Sequence, residues 1–127
     1  MSRKNALYDL IMDHFVPKPM ARAYSRYSQE AVTLLGQMIR EVRLSKKLTV
    51  ANLAERAGVS RGLIQRIEAG DPGCAIGAVF EAAAILGIKL FDADPHTLAA
   101  RAATQERIVA LLPKAARNAT RAVKDDF

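Results

Sequence analysis

The stretch from Thr49 to Gly70, TVANLAERAGVSRGLIQRIEAG, constrains this chain more than any other. Val50, Leu53, Ala54 and Ala57 fall at i, i+3, i+4 and i+7, the spacing of one apolar helix face, with Thr49 as N-cap and Gly58 as the stop. Ser60 caps a second helix with Ile64 and Ile67 inward, and Gly70-Asp71-Pro72-Gly73 terminates it. Helices of about two turns do not persist alone in water, so this pair must bury its faces against each other and against neighbouring elements. Ala54 is small where the two would cross, and Gly58 tolerates the positive φ of a tight turn. With Val59, Ile64 and Ile67 turned toward Leu53, the side chains left facing outward are Ser60, Arg61, Gly62, Gln65 and Arg66.

The flanks supply more helices. Ser28 is the expected cap of an earlier helix whose Leu35, Met38, Ile39 and Val42 share a face, opposite Glu30, Gln37, Arg40, Glu41 and Arg43. Downstream, Ile76, Val79, Phe80, Ala83 and Leu86 repeat the helical spacing up to Gly87, and Ile88 to Phe91 reads either as a short strand or as a packed loop. Asp94-Pro95 pairs an N-cap with a proline at the first helical position, opening a long helix through Leu98, Ala102, Ile108, Leu111 and Leu112 to Pro113. Near the start, Leu7, Leu10, Ile11, His14 and Phe15 sketch a short amphipathic helix over Asn5 to Phe15, ended by Val16-Pro17-Lys18-Pro19. The expected fold is therefore all-α, a five-helix domain with N- and C-terminal extensions. Its parts divide as 1–27 (extension with a short helix), 28–94 (the domain), 95–112 (C-terminal helix, serving dimerisation) and 113–127 (a mobile basic tail).

Composition removes several function classes. Half of the residues are hydrophobic and a quarter charged, a globular balance, and no apolar run approaches the roughly 20 residues of a membrane span. Acidic residues Asp9 and Asp13 interrupt any signal-peptide stretch, which predicts a cytoplasmic protein. Cys74 is the only cysteine, so neither an internal disulfide nor a cysteine-based zinc site can form. His14 and His96 lack companions at metal-ligand spacing, and there is no Gly-rich phosphate loop or nucleophile paired with a base, so neither an enzyme nor a cofactor is expected. The net charge of +6 favours polyanions, but its distribution is uneven. Lys and Arg outnumber Asp and Glu by 5 to 2 in residues 1–27 and by 6 to 3 in residues 95–127, whereas residues 28–94 balance at 8 to 8.

Two short helices joined by a turn are the helix-turn-helix plan, in which the second helix enters the major groove of duplex DNA. The run LTVANLAERAGVSRGLIQRIEAG resembles the lambda-repressor-like, or Xre-type, family in its spacing of Leu53, Ala54, Gly58, Val59, Ser60, Ile64, Ile67, Glu68 and Gly70. The resemblance covers about Leu34 to Phe91. It implies that Arg61, Gly62 and Arg66 occupy base-reading positions, with Gln65 beside them, although Gly62 departs from the usual polar side chain there. It further implies a phosphate contact at Thr49 and a structural ion pair between Arg43 and Glu68.

A narrower resemblance is to the antitoxins that accompany HipA-like kinases, carried by AAAILGIKLFDADP after the domain, IVALLPKAAR in the next helix and the ending VKDDF. It implies a homodimer on an inverted-repeat operator, autorepression of an operon, and a HipA-like kinase toxin as partner. Half-sites about one helical turn apart, roughly 34–36 Å, and a dimer contact within Ile88 to Leu112 complete that expectation. Two other readings stand beside it: a solitary Xre-type repressor without a toxin, and a protein-interaction adaptor that uses the helix-turn-helix as scaffold. At single residues, Arg40, Lys46 and Lys47 serve either phosphate or the helix dipole. Cys74 is a small hydrophobe unless its thiolate is stabilised. Phe127, after Asp125 and Asp126, is either an aromatic anchor for a partner or a frayed end.

Overall fold

A computed structural model describes residues 23–116, and these hold five α-helices and no β-strand. They are α1 (Arg26–Ser45), α2 (Val50–Ala57), α3 (Arg61–Glu68), α4 (Ile76–Ile85) and α5 (Pro95–Ala110). The N-terminal amphipathic helix expected over Asn5 to Phe15, with His14, and the ending Asp125-Asp126-Phe127 lie outside the described residues. The chain divides into two compact units, one running to Ile88 and one from Lys89.

In the first unit α2 packs on α3 and α4, and α1 packs on α3. Ile39, Leu53 and Ile64 are the largest fully buried side chains, joined by Ala54, Ile67, Ala82, Ala83 and Leu86. The caps follow the chemistry of the sequence. Thr49 and Asn52 form a reciprocal capping box, Thr49 Oγ1 accepting from the Asn52 N–H at 3.0 Å and Asn52 Oδ1 accepting from the Thr49 N–H at 3.1 Å. Ser60 Oγ accepts from the Leu63 N–H at 3.1 Å. Between them Gly58 sits at φ 69°, the left-handed cap that a side chain would strain.

Two features of α1 differ from the sequence expectation. The helix is capped by Ser25, whose Oγ accepts from the backbone N–H of Ser28 at 3.2 Å, so Ser28 lies in the first turn and is not the cap. Starting early places Gln29 where its Nε2 donates to the Gly70 carbonyl at 2.8 Å, tying the first turn of α1 to the end of α3. The inner line is also rotated. Gly36, Ile39 and Arg43 are buried, Leu35 and Val42 half-buried, and Met38 exposed. The helix turns its smallest residue inward because a Cβ at Gly36 would collide with the Ile67 carbonyl, so α1 and α3 touch backbone to side-chain-free backbone.

Arg43 closes this packing. Its Nε and Nη2 donate to the two Glu68 carboxylate oxygens at 2.7 and 2.9 Å, and its Nη1 donates to the Leu48 carbonyl at 2.9 Å. The pair is 8% and 5% exposed, and the bond to Glu68 holds the guanidinium above its ordinary pKa against the opposing effect of burial.

The second unit begins with a two-residue turn. Leu90 and Ala93 form an isolated antiparallel bridge, with Phe91 and Asp92 at φ 54° and 56°, the pair of positive φ values that primed hairpin turns require. Of the two readings of Ile88 to Phe91, the short strand does not form, and the segment is a loop with Leu90 in one isolated bridge. Asp94 Oδ1 then accepts from the Thr97 N–H at 2.7 Å, Pro95 takes the first helical position, and Arg101 Nη1 donates to the Phe91 carbonyl at 2.8 Å. No side chain of α5 is buried, and Ile108, Leu111 and Leu112 at its C-terminal end are exposed. No described helix is long and apolar enough to cross a membrane.

Glu68→Ala should destabilise the protein by about 3–5 kcal/mol in urea unfolding, because it strands a buried guanidinium, whereas the double change Arg43→Met/Glu68→Leu should restore most of the loss. Gly36→Ala should lower stability by roughly 1–3 kcal/mol by overpacking the α1–α3 crossing, read from the same unfolding curves.

Candidate nucleic-acid interface

The helix-turn-helix geometry leaves one outward surface, formed by the start of α2 and the exposed side of α3. Thr49, Val50 and Ala51 from the first, and Arg61, Gly62 and Gln65 from the second, line a single shallow depression there. Four of the six residues singled out in the sequence, Thr49, Arg61, Gly62 and Gln65, therefore meet in one place. Ser60 stands apart with its hydroxyl oxygen committed to capping α3, and Arg66 lies one turn further along.

The depression is chemically equipped for an anion. An α-helix cannot satisfy its first N–H groups internally, so those of Val50 and Ala51, and of Arg61 and Gly62, point out of the two helix starts. Negative charge is favoured at such ends. The Thr49 hydroxyl accepts from Asn52 and keeps its own proton to donate. The side chains of Arg61 and Gln65 are exposed and hold no hydrogen bond to another described residue.

Gly62 has ordinary space above it, since an added Cβ would meet only Ser60 Oγ at 3.9 Å. Nothing in the fold demands glycine at this position. What its missing side chain does is lower the wall of the depression between Arg61 and Gln65, leaving backbone open there.

Arg66 is less free than the sequence suggested. Its Nε donates to Asp71 Oδ2 at 2.7 Å, and Asp71 Oδ1 accepts from the Gly73 N–H at 2.8 Å. The Arg66 bond, followed by that of Gly73, holds the Asp71 carboxyl below the usual carboxylate range. The sequence offers one signal for this arrangement: an acid five residues after Arg66, followed two residues later by Gly73, is the pattern of a side chain that folds back on its own turn. Nearby Cys74 is half-buried, and burial pushes its thiol pKa up, away from the thiolate that a redox sensor would need.

Fold and surface together define the class: the described segment around α2 and α3 is a helix-turn-helix domain. Residues 34–93 match the family described as "Helix-turn-helix domain", a span that begins within α1 and ends just before the Asp94 cap of α5. No curated protein and no solved structure matches the chain.

Gly62→Ala should stabilise α3 by about 0.5–1 kcal/mol, because glycine is a poor helix former and the site has room. If the open backbone serves close approach of a ligand, the same variant should bind DNA more weakly although it melts at a higher temperature. Thermal denaturation and a binding titration on one preparation separate the two effects.

Proposed function

We propose that the protein is a sequence-specific DNA-binding repressor that acts as a dimer on an inverted repeat. The observation that carries this reading is the convergence of Thr49, Arg61, Gly62 and Gln65 on one exposed surface of a helix-turn-helix domain. In it, Thr49 and the first N–H groups of α2 hold a phosphate, while Arg61, Gln65 and Arg66 meet base edges from α3 and Ser60 sets the start of that helix. Arginine can bond two acceptors of guanine and glutamine can pair with adenine, each good bidentate contact giving about 1–3 kcal/mol of discrimination. Phosphate contacts supply affinity and register, base contacts supply choice.

Dimerisation is assigned to Ile88–Leu112. Ile108, Val109, Leu111 and Leu112 are 48–87% exposed, an apolar end of α5 that a second copy would cover. Within this reading the protein is the antitoxin of an operon it represses itself, with a HipA-like kinase as the toxin it binds through its extensions. The support for that narrower role is the sequence resemblance over AAAILGIKLFDADP, IVALLPKAAR and VKDDF.

Selecting binding sites from random duplexes, and identifying proteins that co-purify from the native cells, tests both layers. A palindromic site in the protein's own promoter together with a kinase-like partner is the expected result. Promoter DNA alone would leave a solitary repressor, and a protein partner without any selected sequence would favour an adaptor and overturn the repressor reading.

Two substitutions distinguish base reading from phosphate attraction. Arg66→Ala should relax preference at one base pair in each half-site, whereas removing Lys114 should weaken all sequences alike and flatten the salt dependence by about one counterion. Unchanged base preferences in the Arg66 variant would show that α3 is not the reading helix.

A further inference from the structure

The two arginines of the α1–α3 region that hydrogen-bond to acids use their guanidinium groups differently. Arg43 is spent: all three of its nitrogens donate, two to Glu68 and one to the Leu48 carbonyl, and its side chain is 8% exposed. Arg66 is engaged through Nε alone, and its side chain is 51% exposed. Among the described residues no acceptor takes a hydrogen bond from its Nη1 or Nη2.

That difference matters because a guanidinium carries its five N–H donors in a fixed planar fork. Bidentate contact with the O6 and N7 of guanine needs two parallel donors. Engagement through Nε occupies one edge and leaves the terminal edge, with both Nη groups, intact. We infer that Asp71 is a positioning residue of the interface, holding Arg66 by its Nε so that both terminal nitrogens are presented together to one base. This rests on the reading of α3 as the groove-facing helix.

Three observations support the role. Asp71 is anchored in turn, since its second oxygen accepts from the Gly73 N–H, so the brace is fixed to backbone and not to another mobile side chain. Its carboxyl is held below the usual range by Arg66 and Gly73, so it is ionised at neutral pH. It stands just past the end of α3, five residues from Arg66, and is not among the residues that line the depression of Thr49, Arg61 and Gln65.

Pairing also changes what Arg66 is good for. A lone arginine near DNA is drawn to phosphate whatever the sequence, and long side chains have many rotamers in which to do so. The adjacent carboxylate offsets that charge and repels phosphate, so Arg66 contributes selectivity more than general affinity.

The experiment uses the full chain and the operator selected as above, with every single-base-pair variant of one half-site, titrated at several salt concentrations. Asp71→Asn is the informative change, because Oδ1 can still accept from Gly73 while the charge and the acceptor for Nε are lost. Asp71→Glu, Arg66→Ala and the double variant Arg66→Ala/Asp71→Asn complete the set, and thermal melting verifies that each is folded. Asp71→Asn should reduce discrimination at the Arg66 base pair by about threefold to tenfold, a part of what a bidentate contact supplies. It should leave the other positions alone, tighten binding to random duplex and steepen the salt slope by about one counterion. Asp71→Glu should recover part of the discrimination, and the double variant should match Arg66→Ala in base preference.

Full discrimination retained in Asp71→Asn, while Arg66→Ala abolishes it, would overturn the positioning role. Sharper discrimination in Asp71→Asn would also overturn it, showing a carboxylate that restrains Arg66 from its base. If Arg66→Ala itself changed no preference, the groove-facing assignment of α3 would fail first, and the role of Asp71 with it.

Discussion

The contact on which the interface depends is the three-point hold of Arg43. One guanidinium joins the last turns of α1, the carbonyl of Leu48 just before α2, and Glu68 at the end of α3. Removing two charges from water is costly, and a buried pair of this kind offsets the cost only when its hydrogen bonds are complete. Here both carboxylate oxygens and all three arginine nitrogens have partners, and no buried side-chain nitrogen or oxygen among the described residues lacks one. An apolar triad could supply equal stability, but not this registry. Because the donors are directional, the α1–α2 loop and the end of α3 are fixed relative to each other, and Thr49, the first residue after Leu48, follows.

The rest of the packing serves the same end. Gly36 lets α1 approach the backbone of α3, and Gln29 fastens the first turn of α1 to the Gly70 carbonyl. Helix α3 is thereby gripped at its C-terminal end by two polar contacts from α1 and along its inner side by Ile64 and Ile67. The start of α3 is left with only the Ser60 cap and open solvent beyond it. That asymmetry suits an element that must present its first two turns to a ligand: rigidity comes from one end and one side, and the working face carries no structural duty.

Elements whose signal is local were legible in the sequence. Thr49, Ser60, Asp94 and Gly58 cap or stop helices through their own side chains or backbone freedom, so their roles survive without knowledge of the tertiary fold. The inner line of α1 was not, because hydropathy marks Met38 and Leu35 and is blind to a glycine and an arginine that face inward for reasons set by α3. The choice between Ser25 and Ser28 as cap was equally open locally, and Gln29 reaching Gly70, 41 residues away, accompanies the earlier start. Helix α5 was legible as an element because Asp94-Pro95 marks its start, but its periodicity reports only that a face is apolar and not what covers that face.

The distinction between committed and free side chains also bears on the balanced charge of the helix-turn-helix region, which at first sight argues against a polyanion as ligand. Four of its eight acids are already occupied. Glu68 is buried against Arg43, Asp71 is bonded to Arg66 and Gly73, Glu30 lies within 3.9 Å of Arg26, and Asp94 caps α5. Arg40, Lys46, Lys47, Arg56 and Arg61 are exposed and take part in none of the ion pairs among the described residues. What a ligand meets is the field of the exposed side chains near it and not the sum over the segment, because charges beyond a Debye length of about 8–10 Å are largely screened. The count over 28–94 thus mixes acids that serve as structural fasteners, Glu68, Asp71 and Asp94, with Glu41, Glu55, Glu81 and Asp92, which are exposed like the unpaired cations.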